Sequence, residues 1–175
     1  MNNLTNEKLR LIYPQSSQKN RDKYIAFIQY YMSEYEINTP IRQQMFLAQI
    51  GHESGQLQYS EEIACGKAYE GRKDLGNIQE GDGQRFKGRG FIQITGRSNY
   101  GTISRAFGVD FLATPELLSQ PEWCVKSACW WWKEHGLNQI ADSGDFKKAT
   151  KRINGGYNGL EDRLRLFELC KLYID

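Results

Sequence analysis

The chain has 175 residues, 39% of them hydrophobic, 13% aromatic and 25% charged, with a formal net charge of +2. That length fits one domain, which buries about 70% of the surface its unfolded chain would expose. The aromatic content excludes a disordered tail, and the near-neutral charge excludes a domain-wide basic nucleic-acid binder. One local exception lies between Asp82 and Asp110, where Arg85, Lys87, Arg89, Arg97 and Arg105 occur without an acid. Such a run is suited to attracting an anionic polymer. No stretch approaches the ~20 apolar residues of a bilayer span, so no stable membrane insertion is expected. The start, MNNLTNEKLRLIYPQSS, lacks the apolar core of a secretory signal, so the expected location is the cytosol unless another route exports the chain. Cys65, Cys124, Cys129 and Cys170 are too scattered for a disulfide scaffold and are expected as reduced packing thiols.

A first helix is predicted over Asn6 to Tyr13, stopped by Pro14. A second begins near Asn20 as N-cap, with Tyr24, Ile25, Phe27, Ile28, Tyr31, Met32 and Tyr35 at helical spacing. A third starts at Thr39 as cap and Pro40 as first residue, stacks Ile41, Met45, Ala48 and His52 on one face, and ends at Gly55. From Gly66 to Gly90 the composition turns to Gly, Lys, Arg, Asp and Gln, a long polar loop of the kind that tends to carry function. Phe91 to Thr95 alternates and predicts a short strand. Helices follow near Ser98 to Phe107, Pro115 to Leu118, Pro121 to His135, Asp145 to Ile153 and Leu160 to Ile174. The expectation is a mainly α domain with one small sheet or hairpin, not a doubly wound α/β fold.

Four segments offer chemistry. In Gly51-His52-Glu53-Ser54-Gly55, Glu53 ends an apolar helix and projects toward the polar loop; partial desolvation there would suit a general acid. No second histidine follows at helical spacing and His135 is remote, so no metal site is expected. Glu61 and Glu62 offer a second carboxylate beyond a turn, as inverting hydrolysis of a sugar bond needs, although adjacent glutamates are more often a solvated face. Phe86 to Tyr100 joins glycines that permit close approach to Gln93, Thr95, Asn99 and Tyr100, groups suited to hydrogen-bonding and stacking on sugars. It lacks the Gly-Lys-Ser/Thr of a phosphate cradle, and its glycines precede a strand rather than a helix. Trp130, Trp131 and Trp132 sweep about 200° of a helix, so they cannot all face one way. Ile153-Asn154-Gly155-Gly156 is explained by a helix end, with Asn154 left over as a candidate ligand.

Together these segments, in order from Thr39 to the C-terminus, resemble the family 19 glycoside hydrolases, the chitinase-like group that includes phage endolysins. Phe46 to Ser54 is similar to the segment bearing the family's catalytic acid, and Gly88 to Thr95 to its glycine-rich strand. Cys129 to Trp132 resembles its aromatic helix, and Ile153 to Gly156 its asparagine motif. The resemblance implies a lysozyme-like or chitinase-like helical domain spanning 1–175, its N-terminal helices (1–38) packed on a glycosidase core (39–175), with no separate wall-binding module. It implies Glu53 as general acid and Glu62 as base. Thr95, where the chitinases carry serine, would help position water, and His52, Gln93, Asn99, Tyr100 and Asn154 would meet substrate. Arg163, in the Asp-Arg pair of the last helix, would hold the charge of a catalytic carboxylate or touch substrate.

The short interval from Glu53 to Glu62 is similar to the lysin branch, which degrades peptidoglycan; the basic run suits that negatively charged polymer better than neutral chitin. The expected protein is an inverting muramidase-type endolysin, a monomer without cofactor or metal. It would act on peptidoglycan glycan strands and not on nucleic acid, after holin-dependent release from the cytoplasm of a host bacterium. The alternatives are a chitinase with the same site, a lytic transglycosylase, an interbacterial toxin, and a glycan-binding module without activity.

Overall fold

The structure, a computed structural model, describes residues 4–175; the first three positions of the expected N-terminal segment lie outside them. α1 (Asn6–Ile12) is capped by Thr5, whose hydroxyl accepts from the Lys8 amide, and stops at Tyr13 ahead of Pro14. α2 (Gln18–Glu34) starts earlier than expected. Ser17 is its cap, accepting from the Asn20 amide at 3.1 Å, so Asn20 lies inside the first turn and caps nothing. α3 (Pro40–Glu53) has the expected ends: Thr39 accepts from the Arg42 amide, Pro40 opens the helix, and Gly55 lies just past it at φ +56°.

α3 lies against α9 (Leu160–Tyr173) and α2 against α6 (Pro121–Glu134), while α1 packs on both α2 and α9. Ile28, Met32, Phe46, Ala128, Trp132 and Leu166 belong to the main core between them. A smaller core of Phe86, Ile94, Tyr100, Ile103, Phe111 and Leu118 underlies α4 (Asp82–Arg85) and α5 (Arg97–Phe107). Ile92 and Trp131 pack against both cores, which places the segment around them at the seam.

The sheet is where expectation and structure part. Phe91 to Thr95 forms no strand; the described residues hold only isolated bridges, Glu61 with Arg89 and Arg89 with Ile94. Gly90 at φ +78° and Gln93 at φ +56° are both left-handed, and the Gln93 amide turns back to the Gly90 carbonyl at 3.1 Å. The alternation of Phe91, Ile92 and Ile94 serves two cores rather than two faces of a sheet. The polar stretch contains two short 3-10 turns, Lys67–Tyr69 and Lys73–Leu75, besides α4. The expected helix at Pro115 is a 3-10 turn reaching Ser119. α7 (Leu137–Asp142), between Gly136 and Gly144, is too short for a periodic signal; α8 (Phe146–Asn154) follows, capped by Asp145. Cys124, Cys129 and Cys170 are buried and Cys65 exposed, all as free thiols. No described helix is long and apolar enough to cross a membrane.

Gly51 sets how closely α3 approaches its neighbours. A methyl there would lie 2.5 Å from Tyr13 Cε1 and 3.2 Å from Leu166 Cδ1. Tyr13 has little freedom to yield, because its ring is fully buried and its hydroxyl donates to the Leu47 carbonyl. Overpacking costs about 1–3 kcal/mol, against a helix-propensity gain of about 1 kcal/mol. Gly51→Ala is therefore expected to lower Tm by about 2–4 °C in a thermal melt.

Around the second core, Asp82 is almost wholly buried and accepts from the Ile78 and Gln79 amides and from both arms of Arg97. The Arg97 bonds hold its carboxyl below the ordinary 3.8, against the opposing effect of burial. A depressed carboxylate stabilises above its unfolded pKa, and that contribution is lost as pH falls through the folded value. Denaturant midpoints should fall below about pH 4, and Asp82→Asn should remove part of that dependence.

Candidate active site

The packed end of α3 sets Glu53 against α9. Arg163, on the first turns of α9, donates to Glu53 Oε1 at 2.5 Å and to Gln49 Oε1 at 2.6 Å, and its Nε donates to the Asn158 carbonyl at 3.1 Å. The Arg163 side chain is 1% exposed and that of Glu53 19%. Gln49 in turn donates to Thr150 Oγ1 on α8 at 2.8 Å. Beside the expected partial desolvation of Glu53, the structure pairs it with the buried Arg163 guanidinium, the carboxylate partner that the resemblance implied for that arginine. Arg163 is thus occupied with Glu53 and the α3–α9 junction and has no surface left for substrate.

His52 is placed beside this pair rather than over it. Its Nδ1 lies 2.8 Å from Asp162 Oδ2, and its ring rests on Gly159, where a Cβ would fall 2.3 Å from Nε2. Burial tends to raise the Asp162 carboxyl, but the bonds from His52 and Arg165 outweigh it and hold the group below its ordinary value. His52–Asp162 and Glu53–Arg163 are therefore adjacent rungs across one helix junction.

The neighbours Glu61 and Glu62 stand in different surroundings. Glu61 is paired with Lys87 at 3.1 Å and with the buried Arg89 at 3.0 Å, two cations for one carboxylate. The Glu62 carboxylate accepts from the Tyr69 hydroxyl at 3.0 Å on Oε1 and the Gly88 amide at 3.1 Å on Oε2, while its backbone carbonyl takes a bond from Lys87 Nζ at 3.1 Å. Burial first, and then the bond to Glu62, push the Tyr69 phenol up, which keeps it a donor. The Glu61 carboxylate is thus tied to two cations, whereas the Glu62 carboxylate is held by a phenol and an amide.

Gly88 explains how the remaining groups gather. A Cβ there would fall 2.6 Å from Gln93 Oε1, 3.3 Å from Glu62 Oε2 and 3.3 Å from Thr95 Oγ1. Three side chains from separate parts of the loop therefore converge over one bare backbone position. The Thr95 hydroxyl donates to the Gln93 carbonyl at 2.9 Å, and Gln93 Nε2 donates to the Gly90 carbonyl at 2.9 Å. Asn99 donates to the Thr95 carbonyl at 2.8 Å and steadies the turn from the start of α5.

Tyr100 is a correction to the expected substrate contacts. It is fully buried, and its hydroxyl donates to the Lys87 carbonyl at 2.7 Å while accepting from Arg89 at 3.0 Å. It holds the backbone beside Gly88 and cannot touch a ligand. Asn154 is exposed at the end of α8, with its Oδ1 facing the Asn158 amide at 3.3 Å.

A cavity of about 330 Å³ adjoins this cluster, lined among others by Gln93, Thr95, Asn99, Trp131, His135 and Ile153. Neither Glu53 nor Glu62 lines it; Gln93 and Thr95 are the link. The tryptophans divide as helical spacing requires. Trp132 is fully buried and donates to Asn138, Trp130 packs on Phe107, and Trp131 stacks on His135 with centroids 3.7 Å apart. The basic run is less free than its sequence suggested. Lys87 and Arg89 pair with Glu61 and Arg97 with Asp82, whereas Arg85 donates to the Leu112 and Ala113 carbonyls and Arg105 to Thr102. Among the described residues no cluster of histidine, cysteine and carboxylate side chains could hold a metal ion. Sequence reasoning missed Tyr69 and the role of Gly88, for which no local signal exists, and His135, whose four-residue spacing from Trp131 was available.

A helical domain presenting two unlike carboxylates, one of them in a cluster that adjoins a cavity of mixed polar and apolar lining, has the equipment of a glycoside hydrolase. Residues 23–143 match the family 19 glycoside hydrolases, described as chitinase class I. A Haemophilus influenzae protein described as a glycosyl hydrolase family 19 domain-containing protein is 33% identical over 164 residues, spanning 76% of this chain and 77% of its own length. An Arabidopsis thaliana endochitinase is 37% identical over 111 residues, which span 63% of this chain and only 38% of that relative. In fold, the chain is similar to chitinase C from Streptomyces griseus, with a TM-score of 0.76 at 21% identity, covering 97% of this chain and 76% of that one. A class IV chitinase from Zea mays gives a TM-score of 0.76 at 22% identity, covering 98% and 94%. The chain belongs to glycoside hydrolase family 19.

Gly88 has no positive φ, so Gly88→Ala adds a methyl without backbone strain and pushes Gln93 and Glu62 apart. Displacements near 1 Å at a reacting centre cost about 100-fold. The variant should keep its circular dichroism spectrum while kcat falls by about that factor on any glycan the parent cleaves.

Proposed function

We propose that the protein is a peptidoglycan-degrading lysin that hydrolyses the β-1,4 bond between N-acetylmuramic acid and N-acetylglucosamine with inversion. The observation that carries the mechanism is the unlike setting of the two carboxylates. Arg163 engages only Oε1 of Glu53, which leaves Oε2 to carry the proton given to the glycosidic oxygen. Once that proton has left, the short charge-assisted bond from Arg163 stabilises the carboxylate. Glu62 accepts a proton from water gathered where Glu62 Oε2, Thr95 Oγ1 and Gln93 Oε1 converge. Thr95 spends its hydrogen on the Gln93 carbonyl, so its lone pairs face that water as acceptors.

Three features support peptidoglycan as the polymer. Arg85 and Arg105 have no acidic partner among the described residues. No acid lines the adjoining cavity. The short interval from Glu53 to Glu62 resembles the lysin branch. Chitin is the second reading, favoured by the chitinase descriptions of the similar plant and Streptomyces proteins and by the neutralisation of Lys87, Arg89 and Arg97.

Mass spectrometry of fragments from purified peptidoglycan and from soluble chitin separates the two. Reducing-end N-acetylmuramic acid is expected from the wild type and none from Glu53→Gln. Fragments from chitin alone would assign the second reading, and anhydro-sugar ends would assign a transglycosylase. Glu62→Gln should lower kcat by about 100-fold or more, in line with loss of a general base. Glu61→Gln, which leaves Lys87 and Arg89 without their carboxylate, should cost stability more than kcat; the reverse ranking would exchange the two roles.

A further inference from the structure

The cavity beside Gln93 and Thr95 contains one ionisable group that the proposed chemistry leaves unused, His135. The rest of its wall is neutral: Leu75, Ile92, Ile94 and Ile153 are apolar, and Gln93, Thr95, Asn99 and Thr102 are uncharged hydrogen-bonding groups. No aspartate or glutamate lines it. His135 Nδ1 lies 2.8 Å from the Trp131 carbonyl. A carbonyl oxygen only accepts, so Nδ1 carries the hydrogen, and Nε2 is left as the ring nitrogen with no partner among the described residues. The residue's place fixes the ring: His135 is the C-terminal cap of α6 and lies stacked on Trp131, 14° from parallel, so Nε2 is the position through which a protonated imidazole pairs with an anionic group.

Resting on the reading of peptidoglycan as substrate, we propose that this cavity seats a neighbouring sugar of the strand and that His135 Nε2 binds a carboxylate carried by that sugar. The shared chemistry is an anionic arm on the C3 side of N-acetylmuramic acid: the lactyl carboxylate in a bare strand, or a stem-peptide carboxylate where the lactyl group is amidated. Chitin has a hydroxyl at that carbon and offers His135 no anion. Gln93 and Thr95 border both the cavity and the Glu62 cluster, so a sugar held there lies in series with the bond being cut. His135 is on this account a specificity-determining residue that selects the acidic glycan.

The test measures binding by calorimetry in the Glu53→Gln background, which prevents turnover. Its three probes are bare glycan strands freed of stem peptides, stem-bearing oligosaccharides, and chitin oligosaccharides of the same length. His135→Phe keeps a ring against Trp131 and removes both nitrogens; His135→Gln keeps a polar donor and removes the charge. Both variants are expected to bind the acidic glycans about tenfold more weakly, as for one hydrogen bond to a charged group, and chitin as the parent does. Loss confined to bare strands assigns the lactyl carboxylate, and loss confined to stem-bearing ones the peptide carboxylate. Equal loss for chitin, or no loss for the acidic glycans, overturns the assignment of His135. Failure of the underlying reading looks different: the parent with His135 intact then binds chitin and neither acidic glycan.

Discussion

The buried Arg163 guanidinium is the constraint on which the rest of the site depends. A charge that is 1% exposed is stable only if its donors are met, and the three groups that meet them are Gln49, Glu53 and the Asn158 carbonyl. Those partners lie on α3 and on the loop into α9, so satisfying the charge aligns the two helices and aims Glu53 at the same time. Gln49 passes the constraint on to Thr150 in α8. Breaking one arm of such a buried pair typically costs about 3–5 kcal/mol, a large share of a domain's net stability. The catalytic candidate is thus held by the interaction that closes the fold, and His52 with Asp162 repeats the link one residue away.

The Glu62 cluster obeys a different rule. The segment from Gly88 to Gly96 has little regular structure of its own, and its shape comes from side chains anchored beneath it. Tyr100 and Arg89 secure the backbone at Lys87 and Arg85, while Glu61 neutralises Arg89. Asp82 and Arg97 tie the polar loop to the start of α5. With the backbone held, a glycine at 88 lets three polar side chains crowd one spot, which a β-carbon would forbid. The same anchoring neutralises Lys87, Arg89 and Arg97 inside the protein, so of the basic run Arg85 and Arg105 keep their charge without an acidic partner among the described residues.

Much of the helical frame was legible locally. Thr39 and Pro40 marked the start of α3, Gly55 its end, and the apolar spacing of α2 its buried face. Errors fell where local and tertiary preferences disagree. Asn20 has capping chemistry, but Ser17 lies at the position where an extended residue meets the first free amides. Phe91 to Thr95 alternates as a strand does, yet left-handed Gly90 and Gln93 fold it so that Phe91 joins one core and Ile94 the other. Tyr100 has the chemistry of a sugar contact and the burial of a core residue, and only packing distinguishes these.

The sequence by itself determined the longer helices, that Glu53 ends one of them, and the family to which the chain belongs. These depend on caps, periodicity and ordered motifs, all of which act over a few residues. Tertiary structure alone decided that Arg163 meets Glu53, that Glu61 is neutralised while its neighbour Glu62 is not, and that His135 lines the cavity with Gln93 and Thr95. Adjacent residues of an extended segment point to opposite sides, so their surroundings are set by chain that lies far away in sequence. Pairings across 28 residues, as for Glu61 and Arg89, or 110, as for Glu53 and Arg163, exist only once the helices have packed.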